Sequence, residues 1–127
     1  ISYLKKVKLP FNVNSIALNA AHLALTTKQA FVNHSQNVNQ EGLSQYESAA
    51  KQWPVIWVPS QGNFCCLLLT NHQANAVFDQ CINNGFIIRK LESFGLAQGI
   101  RITIASKAVN DRVISCLNSF FESSSAL

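Results

Sequence analysis

Hydrophobic positions recur along the chain with two periods, and the change of period falls near Trp53. Before it the spacing is helical. "IALNAAHLAL" (16–25) places Ala17, Ala20, Ala21, Ala24 and Leu25 on one face, with Asn14 or Ser15 as its cap. Small residues on that face allow a close approach to another element. "TTK" (26–28) interrupts, and a longer helix is predicted from Gln29 to about Gln52. Its apolar positions Phe31, Val38, Leu43, Tyr46, Ala49 and Ala50 are loosely spaced, so it is a polar, one-sided helix. Gly42 weakens its middle by about 1 kcal/mol relative to alanine.

After Trp53 short apolar runs alternate with turn residues. "PVIWVP" (54–59) and "NFCCLLLT" (63–70) read as strands joined by a turn at "SQG". Asn71 caps a helix whose stripe is Ala74, Val77, Phe78, Cys81 and Ile82, closed by Gly85 in a left-handed stop. "FIIRKL" (86–91) is a strand, "ESFGLAQG" a loop, and "GIRITIA" (99–105) a strand. Ser106 caps a last helix with Val109, Val113, Leu117, Phe120 and Phe121 inward, and "ESSSAL" frays. No Rossmann glycine signature, P-loop or internal repeat interrupts this order. The expected fold class is α+β: a small, largely antiparallel sheet with helices packed mainly on one face. The strands are short enough to leave an open face or edge.

Within that frame the arginines stand out, because the chain has only three. In "GIRITIA" the isoleucines Ile100, Ile102 and Ile104 take one face, and Arg101, Thr103 and Ala105 take the other. If the isoleucines meet the helices, Arg101 looks away from the core. Arg89 lies in the preceding strand, across the loop, so both guanidinium groups can frame one mouth of the sheet. Guanidinium is the natural group for bidentate capture of carboxylate or phosphate. Two of them suit a ligand with two anionic ends. The competing reading is local pairing with an acid, and Glu92 is within sequence reach of either arginine. Arg112 reads as surface. His22, His34 and His72 lie in separate elements, with no carboxylate at metal or triad spacing. Asn63 follows Gly62 at a turn and either holds that turn or touches a ligand.

Composition narrows the choices. Charged residues make up 13% of the chain, about half the usual share. This points to a polar Asn/Gln/Ser coat, a face hidden against a partner, or both. The net charge is +4, partly from "LKKVK" (4–8), a solvated connecting segment. The other lysines are scattered, which argues against a nucleic-acid partner. The four cysteines show no CxxC and no zinc spacing. Cys65 and Cys66 point to opposite faces of one strand and read as small core hydrophobes, not nucleophiles. A reduced, cytoplasmic setting is the simplest expectation, with no bilayer-spanning run. The opening "ISYLKKVKLPF", without methionine, reads as cut from something longer.

Three blocks, "KKVKLPFNVNSIALNAAHLAL", "PSQGNF" and "GFIIRKLESFGLAQGIRITIASKAVNDRV", resemble in order and spacing the C-terminal part of histidinol-phosphate aminotransferases. These are pyridoxal-phosphate enzymes of the aspartate aminotransferase fold. The resemblance runs from about Leu4 to Phe121. It implies that residues 1–12 connect to a large domain lying elsewhere and that residues 13–127 form the small domain. It implies that Arg101 binds the α-carboxylate of the amino-acid partner, and that Arg89 helps bind the phosphate of a phosphorylated amino-alcohol substrate. Asn12 and Asn63 match positions near the interdomain cleft. Pyridoxal 5'-phosphate would be held by the complete enzyme, a homodimer. The catalytic lysine, the pyridine-nitrogen aspartate and the phosphate cup belong to the large domain, so this chain alone is expected to be inactive and to bind no cofactor or metal. Ala105 stands where the family usually has glycine. The alternatives are another class I/II aminotransferase, a threonine-phosphate decarboxylase-like domain, or a non-catalytic anion-binding module.

Overall fold

The structure, a computed structural model, describes Tyr3, Lys6, residues 13–70 and residues 74–125. The chain divides into two compact units, Ile1–Gln36 and Asn37–Leu127.

In the first unit, α1 (Ser15–Thr27) starts at Asn14, whose side chain accepts the Ala17 N–H at 2.8 Å. The Thr26 and Thr27 hydroxyls donate back to the His22 and Leu23 carbonyls in its last turn. Lys28 closes α1 through its N–H to Ala24 O and then accepts the Phe31 N–H. The second helix, α2 (Gln29–Ala50), begins there. No residue of α1 is buried, and Ile16, Leu18, Leu23 and Leu25 are all exposed.

The second unit holds the end of α2 and everything after it: β1 (Val55–Val58), β2 (Phe64–Leu69), α3 (Ala74–Asn83), β3 (Arg89–Lys90), β4 (Gly99–Thr103) and α4 (Lys107–Ser125). The sheet order is β1-β2-β4-β3, every pair antiparallel. Cys65, Leu67, Leu69, Ile100 and Ile102 are buried on one face. They join Leu43, Tyr46 and Ala50 of α2, Val77 and Cys81 of α3, and Val113, Leu117 and Phe121 of α4 in a single core. The Trp53 ring packs 5.5 Å from that of Phe121, and its indole N–H bonds Asn118 Oδ1 at 2.7 Å. This is the α+β arrangement that the hydrophobic pattern predicts.

Several expectations are corrected. The strand read over 86–91 is only Arg89–Lys90, because Phe86 is tied back to α3. Its N–H reaches Cys81 O and the Gly85 N–H reaches Ile82 O, a Schellman closure with Gly85 at φ +80°. Ile82 and Val109 face solvent, and the inward position of α4 next to Val109 is Asn110. Asn110 accepts from Ala105 N–H and donates to Ala105 O and Gln45 Oε1, so it staples the end of β4 to α2. Gly42 is no mere weak point in α2. A Cβ there would fall inside contact distance of Ile104 Cγ2 and 2.8 Å from Asn110 Nδ2. The "ESSS" tail stays helical through Ser125, with the Ser123 and Ser124 hydroxyls bonded back to Ser119 and Phe120 carbonyls. Most of the basic 4–8 segment and the Asn71 cap lie outside the described residues.

Candidate functional site

The register of the sheet decides where the arginines stand. Arg101 pairs with Cys66 on one side and with Arg89 on the other. Directly opposed residues of an antiparallel pair project from the same face. Cys66, Arg101 and Arg89 therefore form a lateral row across the face opposite the core. Ile56 and Thr103, both exposed, share this face with the half-buried Phe64 and Leu68.

Two like charges directly opposed destabilise a sheet, and no carboxylate among the described residues offsets them. Lys107–Asp111 is the one ion pair among the described residues, and Glu92 pairs with neither arginine. Each guanidinium lies instead over an aromatic ring, Arg101 5.0 Å from the Phe64 centroid and Arg89 5.1 Å from that of Phe94. Arg101 is half-buried, and its Nε is fully buried without a hydrogen-bond partner. A buried donor left unmet costs about 1–3 kcal/mol. The local fold thus retains a cation that its own residues do not satisfy, with anion-binding edges left unused.

Asn63 is exposed at the entrance to β2, and its carbonyl accepts the Ile104 N–H at 2.8 Å. That places it one residue from the ring under Arg101. Its backbone holds the turn, which leaves its side chain available. Asn12 lies outside the described residues, as does His72. His22 and His34 are exposed and far apart in sequence. No group of three metal-ligating side chains comes together among the described residues.

The cysteines are free. Burial pushes the Cys65 and Cys81 thiols up to about 12. Burial also raises Cys66, against a smaller opposing pull from the Arg101 charge. A protonated thiol is a poor nucleophile, so the reading of Cys65 and Cys66 as strand packing agrees with their surroundings. The Tyr46 phenol, its hydroxyl buried and unbonded, is also shifted up by burial.

The residues that sequence reasoning missed are Phe64, Phe94 and Gly62. Alternation alone puts Phe64 and Cys66 on one face of β2. Only the register with β4 brings that face under Arg101.

Three concavities of the described surface lie away from the arginines: about 340 Å³ beside Trp53 and Asn118, about 440 Å³ beside Arg112 and Cys116, and about 600 Å³ along Glu41, Ser44 and Lys107. None is lined by Arg89 or Arg101. Along the arginine row exposure rises from the half-buried Cys66 and Arg101 to the exposed Arg89.

The sequence model of the aminotransferase class I and II family matches residues 1–117. The chain belongs to the class I and II aminotransferases. It is 38% identical over 117 residues to histidinol-phosphate aminotransferase 1 of Bacillus anthracis, covering 92% of this chain and 31% of that protein. It is 40% identical over 122 residues to histidinol-phosphate aminotransferase 2 of Bacillus cereus (strain ATCC 10987 / NRS 248), covering 96% and 31%. Among solved structures it resembles histidinol-phosphate aminotransferase from Sinorhizobium meliloti in complex with pyridoxal-5'-phosphate. The TM-score there is 0.73 at 22% identity, over 96% of this chain and 34% of that one. A decarboxylase from Sulfurospirillum multivorans gives 0.70 at 19% identity, over 94% and 36%. These structural likenesses establish the fold. The aminotransferase chain described here spans about a third of the length of the relatives it matches.

Proposed function

We propose that the chain is the substrate-gripping small domain of a histidinol-phosphate aminotransferase, which exchanges an amino group between histidinol phosphate and 2-oxoglutarate or glutamate. In this reading residues 13–127 are the small domain, and residues 1–12 connect it to a large domain. Arg101 holds the α-carboxylate of the amino-acid partner, Arg89 grips the phosphate, and Asn12 and Asn63 line the cleft. The complete enzyme is a cytoplasmic homodimer that uses pyridoxal 5'-phosphate. No described helix is long and apolar enough to cross a membrane.

The observation that carries the proposal is the pairing of Arg89 with Arg101 on the sheet face opposite the core, with no carboxylate among the described residues to answer either. A like-charged pair of this kind is unfavourable for the fold alone. It becomes favourable when an anionic ligand bridges it.

The described residues do not fit the cofactor. Lys28 and Lys51 are exposed, Lys90 is bonded to Asn75 Oδ1 at 2.8 Å, and Lys107 is paired with Asp111. None stands in a cavity opposite an unpaired aspartate. The chain's own contribution is to bind and orient charged ends, and the wall that closes over them comes from elsewhere.

The test is substitution in the full-length enzyme that contains this chain. Arg101→Ala should lower kcat/KM for glutamate by about 10- to 100-fold, the scale of a lost charged hydrogen bond. Arg89→Ala should do the same for histidinol phosphate. Kinetics within twofold of wild type for Arg101→Ala would sink the role given to it. Unchanged discrimination for the phosphorylated substrate after Arg89→Ala would favour a sister aminotransferase.

A further inference from the structure

We infer that Phe64, seated on Gly62, is a positioning residue that holds the Arg101 guanidinium ready for a carboxylate. This rests on the reading of Arg101 given above. The guanidinium carbon lies 5.0 Å from the ring centroid, inside the range of about 6 Å in which a ring face attracts a cation. No hydrogen-bond acceptor among the described residues engages that guanidinium, and its Nε is buried and unbonded. The Phe64 ring is therefore what orients it.

The ring is in turn fixed from below. A Cβ on Gly62 would stand 3.0 Å from Phe64 Cε1 and 3.4 Å from Cδ1, so the ring lies flush against the glycine and would have to give way to a side chain there. The loop under it is bonded at each step. Ser60 Oγ donates to Phe64 O at 2.6 Å and accepts the Gly62 N–H at 3.1 Å. Asn39 Nδ2 donates to Gly62 O at 3.1 Å, and the Ile104 N–H donates to Asn63 O at 2.8 Å.

An arginine side chain is costly to order, and stacking it before the ligand arrives removes that cost from binding. Stacking uses the flat face of the guanidinium and leaves its N–H edge for a bidentate carboxylate. Arg89 lacks such a foundation. Its ring, Phe94, is 62% exposed on the short 3-10 turn Glu92–Phe94.

The experiment uses the full-length, cofactor-loaded enzyme and glutarate, an unreactive dicarboxylate, as the probe. Its Kd is measured for wild type, Phe64→Leu, Phe64→Tyr, Gly62→Ala and Arg101→Ala. Phe64→Leu should weaken glutarate about fivefold, within the range of one cation–ring contact. Phe64→Tyr should restore it to within twofold, and Gly62→Ala should weaken it in the same direction but less. Unchanged glutarate binding in Phe64→Leu overturns the platform while leaving Arg101 in its role. Unchanged binding in Arg101→Ala overturns that role itself, and the platform with it. If Phe64→Leu does not fold, Gly62→Ala decides alone: weaker glutarate supports the platform, and no change removes it.

Discussion

The two faces of the sheet share the same strands and obey opposite rules. On the helix-covered face of β4, Ile100 and Ile102 are 0% and 3% exposed, among aliphatic, aromatic and cysteine side chains. On the other face of the same strand, Arg101 opposes Arg89 and stacks on Phe64 with a donor left unbonded. The first face is held mainly by close packing of uncharged side chains, which makes it stable and carries no charge to present. The second keeps charge that the fold does not neutralise. The contrast separates residues that make the domain from residues that the domain is made to present.

The largest effect should come from the covered face. Ile100→Ala removes a fully buried side chain and should cost about 2–5 kcal/mol of unfolding free energy. Any loss of ligand binding should follow the loss of folded protein. A denaturant titration checks the first part, and anion affinity measured on the folded fraction checks the second. A selective loss of glutarate affinity there would break the division between the faces.

On the open face the signs should reverse. Arg101→Leu removes a buried unbonded donor and a like-charge opposition. Its denaturation midpoint should equal or exceed that of wild type, while glutarate affinity falls by about 10- to 100-fold. A clear drop in stability would mean that Arg101 is a structural residue after all.

Much of the covered face can be read in the sequence, and much less of the open one. The period change at Trp53 locates the helices and strands, and "NNG" announces the left-handed glycine that ends α3. Alternation correctly places Ile100 and Ile102 against Arg101, because side-chain period is a local property of a strand. Register is not local. That Arg89 stands opposite Arg101, and that Phe64 comes under it, follows from how β3 and β2 align on β4. Nothing in either strand alone states this. The same limit explains Val109 and Asn110. An apolar valine is the natural inward choice, but the end of β4 presents a bare N–H and C=O at Ala105 that only the asparagine meets.

Gly42 sharpens the covered face further. A helix interior usually gains from alanine in place of glycine. Here an added Cβ meets Ile104 and the Asn110 amide, so Gly42→Ala should destabilise by about 1–3 kcal/mol through overpacking. A thermal or denaturant midpoint that rises would show that Ile104 can move aside, and that the close approach is not a requirement.

The smallest effect, visible only in alkali, compares adjacent cysteines on opposite faces. Burial holds the Cys65 thiol at about 12 in the folded protein, above its ordinary value of 9.0. Between those values the unfolded chain releases this proton and the folded one keeps it. The unfolded state then binds fewer protons, so stability must fall as pH rises. The contribution is complete below pH 9.0 and is lost as pH climbs toward about 12. Cys66 is also raised by burial, but Arg101 beside it pulls the other way, and its part in the alkaline loss should be smaller. Urea midpoints at about pH 7 and about pH 10, on either side of the thiol's ordinary value, provide the check. Cys65→Ala should flatten the decline more than Cys66→Ala does. The reverse order would mean that the open face shields its thiol from water better than the core does, which the half-buried position of Cys66 argues against.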